Sequence, residues 1–388
     1  MRFLIVCIAV LLSNPAFADT LPDTKPLEEK GDLAAIMVEG IGKYLDRELA
    51  ASVEKRKQFW KPDFSSPEAY AKSVEPNRQR LKKILGVVDE RVKFADIEYV
   101  GGPNTPSLVA ETDLYKVYAV RWPVLPGVDG EGLLLEPKGK VVAQVVAIPD
   151  ADWTPEQIVG LAPGVPKESQ YARRLAENGC RVVVPVLINR KDDYSGSAKF
   201  NRWTNQPHRE FIYRMAYEMG RHIIGYEVQK VLAVVDWFTK EKGHPPVGVV
   251  GVGEGGLIAV ASSASDTRID TTVVEAHCPE NLTPIYRNIW SFRNEFGEFA
   301  WSYLIAPRKL TLYEIEDLTT SHTAYRTGRT GAAPLNVPGL AQFGISRPGF
   351  EMEFDKVLGK FGRNQDILGT KSGERDGGLG RLANQFVK

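Results

Sequence analysis

The chain has 388 residues, of which 43% are hydrophobic, and this is enough for one large α/β domain and a smaller appended unit. Lysine plus arginine and aspartate plus glutamate number 49 each, so the formal net charge is zero. This balance excludes a strongly basic surface, and we expect neither nucleic acid nor an anionic membrane as a partner.

The first residues have the features of a secretory signal. Arg2 supplies a positive charge, residues 3–12 form an apolar core, and Ala16-Phe17-Ala18 is a small-x-small cleavage site. The apolar run is shorter than the roughly 20 residues that span a bilayer, and no later run approaches that length. The sequence therefore predicts cleavage after Ala18 and a soluble exported protein, either secreted or periplasmic.

We assign residues 19–110 to a helical N-terminal region. Apolar residues recur there at the spacing of an amphipathic helix, at Val38, Ile41, Leu45, Leu49 and Val53. Ser66-Pro67-Glu68 is typical of a helix start, and Gly86 stands where that second helix would end. We interpret this region as structural support packed on the main domain, not as a binding module.

Residues 111–327 are predicted to form an α/β domain. Three strands come first, followed by strands that alternate with helices. The predicted strands are 114–123, 131–136, 141–149, 181–186, 247–250, 270–276 and 309–315, and the predicted helices are 168–178, 209–242 and 255–264. The long helix 209–242 would carry His222 on a salt-bridged face. This alternation predicts a mostly parallel sheet with helices on both faces and a site at the carboxyl ends of its strands.

The tail, residues 328–388, is rich in glycine and proline, and we predict one helical segment in it near 350–361. Two cysteines remain after signal cleavage. Cys180 begins a predicted strand and Cys278 follows one, which places them at opposite ends of a parallel sheet. Because a disulfide cannot reach across that separation, we expect both thiols to be unpaired. No metal-type spacing of cysteine and histidine is present, and we expect neither a metal nor another cofactor.

A glycine-rich turn, Gly251-Val252-Gly253-Glu254-Gly255-Gly256, joins an apolar β-branched run to a helix of small residues. This layout resembles the nucleophile elbow G-x-S-x-G, with Gly253 at the serine position. Together with residues 118–137, 145–152, 220–227, 266–270 and 304–308, it makes the chain similar to the α/β-hydrolase family, in the dienelactone hydrolase and acetyl xylan esterase-like branch. The resemblance spans about residues 118–317, and it implies an α/β-hydrolase-like, mostly parallel sheet flanked by helices, beside the N-terminal helical region.

The resemblance also implies a catalytic triad in the order serine, acid, histidine. Gly253 lacks the nucleophile, and the acid position falls near Asp317. The histidine is expected after one further strand, but His322 is the last histidine and stands only five residues beyond Asp317. The triad is therefore missing at two of three places. The sequence leaves open a shortened chain, or a sheet closed by the tail or by another subunit.

Several residues are candidates for a replacement site. Glu254 could attack or act as a base, although we favour a structural role because a helix N-terminus stabilises a carboxylate. The loop Asp150-Ala151-Asp152 would supply the second oxyanion donor and contact substrate, although we favour Asp152 as the cap of a helix starting near Thr154. His277 follows a strand beside Glu275, and Trp203 lies on a loop, 189–208, that would overhang the site.

Two hypotheses follow. In the first, the chain is an exported relative of carbohydrate-ester hydrolases that has lost serine-esterase activity and binds a small-molecule or carbohydrate-ester ligand. In the second, it is an active ester hydrolase that uses a non-standard constellation drawn from Glu254, His277, Glu275, Asp317 and His322. We favour the first, because two substitutions on different strands both remove the chemistry.

Overall fold

The computed structural model describes residues 22–25, 29–275, 284–297, 300–315 and 365–370. The predicted signal segment, the predicted helix 350–361, and His277, Cys278, Asp317 and His322 lie outside these ranges. Contacts divide the chain into two units, residues 1–50 and 51–388. The first contains most of helix α1 (Leu33–Lys55), which begins where the Asp32 carboxylate accepts the Ala34 N–H at 2.9 Å.

The second unit contains the other helices and the strands. The further helices described are α2 (Pro67–Ile84), α3 (Pro155–Val159), α4 (Tyr171–Glu177), α5 (His208–Glu218), α6 (Ile223–Phe238), α7 (Glu254–Ser265), α8 (Phe292–Glu295) and α9 (Ala300–Ile305). The strands are β1 (Glu98–Tyr99), β2 (Leu108–Glu111), β3 (Tyr115–Leu125), β4 (Val128–Pro137), β5 (Ala143–Ile148), β6 (Cys180–Pro185), β7 (Gly196–Ser197), β8 (Arg202–Trp203), β9 (Val247–Val252), β10 (Thr271–Glu275), β11 (Lys309–Ile315) and β12 (Gln365–Thr370). Short 3-10 turns lie at Arg56–Gln58, Lys167–Ser169, Ala198–Phe200 and Ile285–Arg287.

One mixed sheet forms the centre of the second unit. Its strand order is β1-β3-β4-β6-β5-β9-β10-β11-β12, with β2 beside β3, whereas β7 and β8 form a separate hairpin. Strands β1 to β4 pair antiparallel, and β6, β5, β9, β10, β11 and β12 run parallel to one another. The predicted fold class, a mostly parallel sheet flanked by helices, is confirmed.

Both faces of the sheet are covered, which explains why its central strands are continuous apolar runs. Successive residues of a strand point to opposite faces. Accordingly, Val146 of β5 packs in a core with α2, α6, α7 and α9, and its neighbour Val145 packs in a second core with α3 and α4. The site therefore stands on a rigid platform.

Helix α2 is fastened to the sheet-covering helices. It begins at Ser66, whose hydroxyl accepts the Ala69 N–H at 3.1 Å, with Pro67 in the first turn. The Arg78 guanidinium is buried and donates to the carbonyl oxygens of Ala264 and Leu304, which lie at the ends of α7 and α9. The second predicted helix thus packs on the main domain through the exposed carbonyls of two helix ends.

The predicted single helix 209–242 is wrong, because the chain breaks between α5 and α6. Gly220 has φ +66°, a left-handed conformation that ends a helix and favours glycine. His222 is buried and caps α6, because its Nδ1 accepts the Ile224 N–H at 3.1 Å. It therefore does not lie on a salt-bridged helix face.

The sheet has a final strand that the sequence did not predict. Strand β12 lies parallel to β11, with Leu310 opposite Gln365. The alternative in which the tail closes the sheet is therefore confirmed. Residues 371–388, which follow this strand, contain no histidine.

Cys180 opens β6 and is free and buried. Burial raises the pKa of its thiol to about 12, so it is a small core side chain and not a reactive one. Within the described ranges, no helix is both long and apolar enough to cross a membrane.

Candidate functional site

The elbow keeps its strained backbone. Gly253, between β9 and α7, has φ +57° and ψ −117°. The tight turn also needs its flanking glycines. A Cβ added to Gly251 would lie 2.1 Å from the carbonyl oxygen of Gly255, and a Cβ added to Gly255 would lie 2.3 Å from the carbonyl oxygen of Ile148. The predicted unusual conformation of Gly253 is confirmed, and the turn persists although its nucleophile is absent.

The Asp150 carboxylate occupies the space of a nucleophile side chain. A Cβ added to Gly253 would lie 2.4 Å from Asp150 Oδ2, well inside van der Waals contact. The same oxygen accepts the Glu254 N–H at 2.9 Å. In the family resembled, the N–H after the nucleophile belongs to the oxyanion hole. Here an internal carboxylate already occupies that donor.

Arg190 holds this carboxylate in place. Its two terminal nitrogens donate to Asp150 Oδ1 at 2.6 Å and to Oδ2 at 3.0 Å, and one of them also reaches Asp152 Oδ2 at 2.9 Å. Burial raises the pKa of Asp150, but the hydrogen bonds and charge of Arg190, together with the Glu254 N–H, outweigh burial and place that pKa well below its usual range. Asp150 is therefore ionised at neutral pH and is a weak base.

Glu254 lies at the centre of a buried ion network. Its side chain is fully buried and accepts hydrogen bonds from Arg287 at 2.6 Å, Arg209 at 3.2 Å and Arg190 at 3.3 Å. Burial alone would raise the pKa of Glu254, but the charges and hydrogen bonds of these arginines outweigh burial and lower the pKa to about 2. These partners fit the structural role that we favoured from the sequence. The three guanidinium groups stabilise the Glu254 carboxylate more than the helix N-terminus does.

The network extends to α6 through Arg209. This side chain is fully buried and donates to both Glu227 oxygens, at 2.9 and 2.8 Å, and its guanidinium lies 5.3 Å from the centre of the Tyr286 ring. Among the described residues, three arginines thus face four carboxylates, those of Asp150, Asp152, Glu227 and Glu254. Sequence reasoning missed this set, although Glu227, a carboxylate near the start of the mostly apolar helix 223–238, was a signal that a buried cation faces it.

The remaining loop candidates differ in position. Asp152 is not the cap of α3, as favoured from the sequence. The cap is Thr154, whose N–H donates to the side-chain oxygen of Gln157 at 2.8 Å in a capping box. Ala151 is buried, and Trp203 lies on β8 with 56% of its surface exposed. The structure thus brings Asp150, Asp152 and Glu254 together around Arg190, apart from Trp203.

Glu275 and His222 are two further groups in this region with shifted pKa values. The Glu275 carbonyl accepts the Gly253 N–H at 3.1 Å, and its carboxyl Oε2 is buried without a hydrogen-bond partner in the described part of the chain. Burial raises the pKa of Glu275 to about 7. Burial likewise lowers the pKa of His222 to about 4, against the hydrogen bond to the Asn288 carbonyl. Both groups therefore favour the neutral form.

These two shifts make opposite contributions to stability against pH. Glu275 is raised from 4.5, so its contribution is lost as pH rises from about 4.5 to 7. His222 is lowered from 6.5, so its contribution is lost as pH falls from about 6.5 to 4. Each amounts to about 3 kcal/mol, so they nearly cancel between pH 4.5 and 6.5.

We expect Glu275→Gln to remove the loss of stability that Glu275 causes as pH rises, and to leave the opposite contribution of His222. The free energy of unfolding of the variant, measured by urea titration, should rise by about 3 kcal/mol between pH 4 and 6.5 relative to the parent protein. Parallel pH profiles for the two proteins would contradict the assignment of a buried neutral carboxyl to Glu275.

No group of three or more histidine, cysteine, aspartate or glutamate side chains suited to a metal ion occurs among the described residues. Comparison with known sequences finds no family model and no curated protein that matches this chain. The described fold does match solved structures. One is a Bacteroides fragilis protein provisionally named as an acetyl xylan esterase, with a TM-score of 0.54 and 15% identity over 83% of this chain and 81% of that chain.

The chain has the α/β-hydrolase fold. Other neighbours are esterases as well: a methylesterase (TM-score 0.48, 14% identity, 82% of this chain and 63% of that chain) and acetyl xylan esterase 1 from a Thermoanaerobacterium species (TM-score 0.44, 14% identity, 86% and 96%). At these identities the likeness concerns the fold alone, and activity depends on the side chains at the elbow.

Proposed function

We propose that this chain is a hydrolase-fold protein that has lost serine-esterase chemistry and has kept the elbow as architecture. The observation that carries the proposal is the position of Asp150. Its carboxylate lies where a serine side chain would project from residue 253, and it accepts the Glu254 N–H that an oxyanion would need. A negative charge at this point repels the developing oxyanion of acyl transfer.

Neither neighbouring carboxylate is suited to replace the serine. A general base works best with a pKa near the working pH, whereas the pKa of Glu254 is about 2 and that of Asp150 is also far below its usual range. Both are bound by arginines, and Glu254 is fully buried. A nucleophile without a matched base is weak.

We further propose that the protein is exported after cleavage of its first 18 residues and is related to carbohydrate-ester hydrolases. The signal-like N-terminus and the esterase fold of the structural neighbours support this proposal. Its ligand would then be a small molecule or a carbohydrate ester, and neither nucleic acid nor a membrane is proposed as a partner.

The test of lost chemistry is active-site labelling. The purified mature protein should remain unlabelled by a fluorophosphonate probe and should not release p-nitrophenol from p-nitrophenyl acetate above the level of the heat-denatured sample. An active serine esterase assayed in parallel shows that the probe works. Covalent labelling of a serine close to the elbow, such as Ser262, would contradict the proposal.

A second candidate function is an ester hydrolase with a non-standard constellation, and one observation favours it. Glu275 has a buried oxygen with no hydrogen-bond partner in the described residues and a pKa of about 7, which suits a general base. His277, Asp317 and His322 would be its proposed partners, whereas the arginine partners of Glu254 argue against that residue. Ester turnover that Glu275→Gln abolishes while the fold survives would select this candidate.

A further inference from the structure

The hairpin of β7 and β8 exposes three large aromatic side chains. Tyr194, Phe200 and Trp203 have 79%, 69% and 56% of their surfaces exposed. Single exposed aromatic residues are ordinary on protein surfaces, whereas these three fall within ten consecutive residues of one segment. We call these three residues the aromatic hairpin surface.

Two of the rings are supported from behind. A Cβ added to Gly196 would lie 2.5 Å from Cε3 of Trp203, so the indole lies directly across the glycine backbone. The Tyr194 ring stacks on His208, with 5.5 Å between ring centres and an angle of 20°. Each of these two rings therefore has one face against the protein and a large exposed area facing solvent.

The base of the hairpin is held firmly. His208 Nε2 accepts the Tyr194 N–H at 2.8 Å, and its Nδ1 lies 2.8 Å from Asn189 Oδ1. Arg190 ties the start of the same loop to Asp150 beside the elbow. A preformed platform loses little conformational entropy on binding. The loop also follows β6 at the carboxyl edge of the sheet, where ligands of such folds bind.

The surroundings of the rings select the kind of partner. Between residues 192 and 206 no leucine, isoleucine, valine or methionine occurs, so the exposed apolar surface of this segment comes mainly from its aromatic rings. Its formal charges balance, because the two acidic residues, Asp192 and Asp193, are matched by two basic residues, Lys199 and Arg202. The surface is therefore aromatic with a neutral, hydrogen-bonding rim.

We propose that the aromatic hairpin surface binds the flat faces of β-linked pyranose rings in a neutral polysaccharide. A pyranose with equatorial substituents presents C–H groups on its faces and hydroxyls at its edge. The C–H faces match exposed aromatic rings, and the hydroxyls match polar side chains such as Ser197, Asn201 and Arg202. The proposal deepens the ligand-binding function above and rests on it, but it needs no ester and no catalysis.

Affinity electrophoresis tests the proposal with the full mature chain. Native gels containing soluble mixed-linkage β-glucan or neutral xylan should slow the protein relative to gels without polysaccharide. Trp203→Ala should weaken the apparent affinity by about 10-fold or more, and Tyr194→Ala should also weaken it. Trp203→Tyr should retain most of the binding, because it keeps an aromatic face.

Trp290→Ala is the matched control, because Trp290 is 57% exposed but lies outside the hairpin. It should leave the retardation unchanged. Unretarded parent protein in both polysaccharides, or equal loss in the control, would overturn the proposal. Self-association that Trp203→Ala abolishes would instead assign the surface to a second copy of the chain. Fluorophosphonate labelling reports on the elbow alone, so failure of the proposed function is distinguishable from failure here.

Discussion

Glu254→Ala is expected to lower the free energy of unfolding by about 3–5 kcal/mol, the usual effect of breaking a buried ion pair. Glu254 is fully buried and accepts from Arg190, Arg209 and Arg287. Its removal leaves three guanidinium groups with reduced compensation inside the protein. Urea unfolding followed by circular dichroism at pH 7 measures the loss.

Glu98→Ala is the matched control for this variant. Glu98 pairs with Arg121 at 2.8 Å, but both side chains are exposed. Exposed ion pairs contribute little to stability because water screens them, so the control should unfold near the parent midpoint. A Glu254 variant no less stable than the Glu98 variant would mean that the network at the elbow does not hold the fold together.

Gly253→Ser is expected to cost about 3–5 kcal/mol of stability and to remain inactive. Backbone strain at φ +57° accounts for about 1–3 kcal/mol of this, the cost expected from the sequence. The structure adds a collision, because the new Cβ would lie 2.4 Å from Asp150 Oδ2. The carboxylate must then move and weaken its hydrogen bonds to Arg190 and Glu254, worth about 1.5–3 kcal/mol for a charged pair.

A double-mutant cycle separates the two causes. In an Asp150→Ala background the collision is absent, so Gly253→Ser should cost only the strain of about 1–3 kcal/mol. Equal costs in the two backgrounds would show that Asp150 does not occupy the nucleophile space. Hydrolysis of p-nitrophenyl acetate by Gly253→Ser well above the parent rate would reveal a hidden base, with His277 and His322 as the first suspects.

The fold could be read from the sequence because its main signals are local. Mostly apolar runs predicted β5, β6 and β9, since strands buried on both faces need few polar side chains. The glycine-rich turn predicted the elbow at Gly253, because only a residue without Cβ adopts its backbone easily. The break at Gly220 was missed because the residues on both sides continue the helical pattern.

Strand β12 shows a different limit of local patterns. This strand, Gln365–Thr370, is short and partly polar, so no periodic pattern of apolar residues marks it as a strand. Their pairing with β11 supplies the hydrogen bonds that such a segment cannot satisfy alone. Pairing at the edge of an existing sheet therefore decided the conformation of this segment.

The sequence by itself established which triad residues are missing from residues 1–388: a serine at position 253, and a histidine after His322. These are statements about residue identity and need no geometry. The side chains that occupy the space of the missing nucleophile come from residues far apart in the chain. Asp150 and Arg190 are separated by 40 residues, and Glu254 and Arg287 by 33. Charges pair through space, where burial strengthens their attraction and penalises any unpaired partner, so only the folded sheet could bring Asp150 over Gly253 and close the elbow with an internal carboxylate.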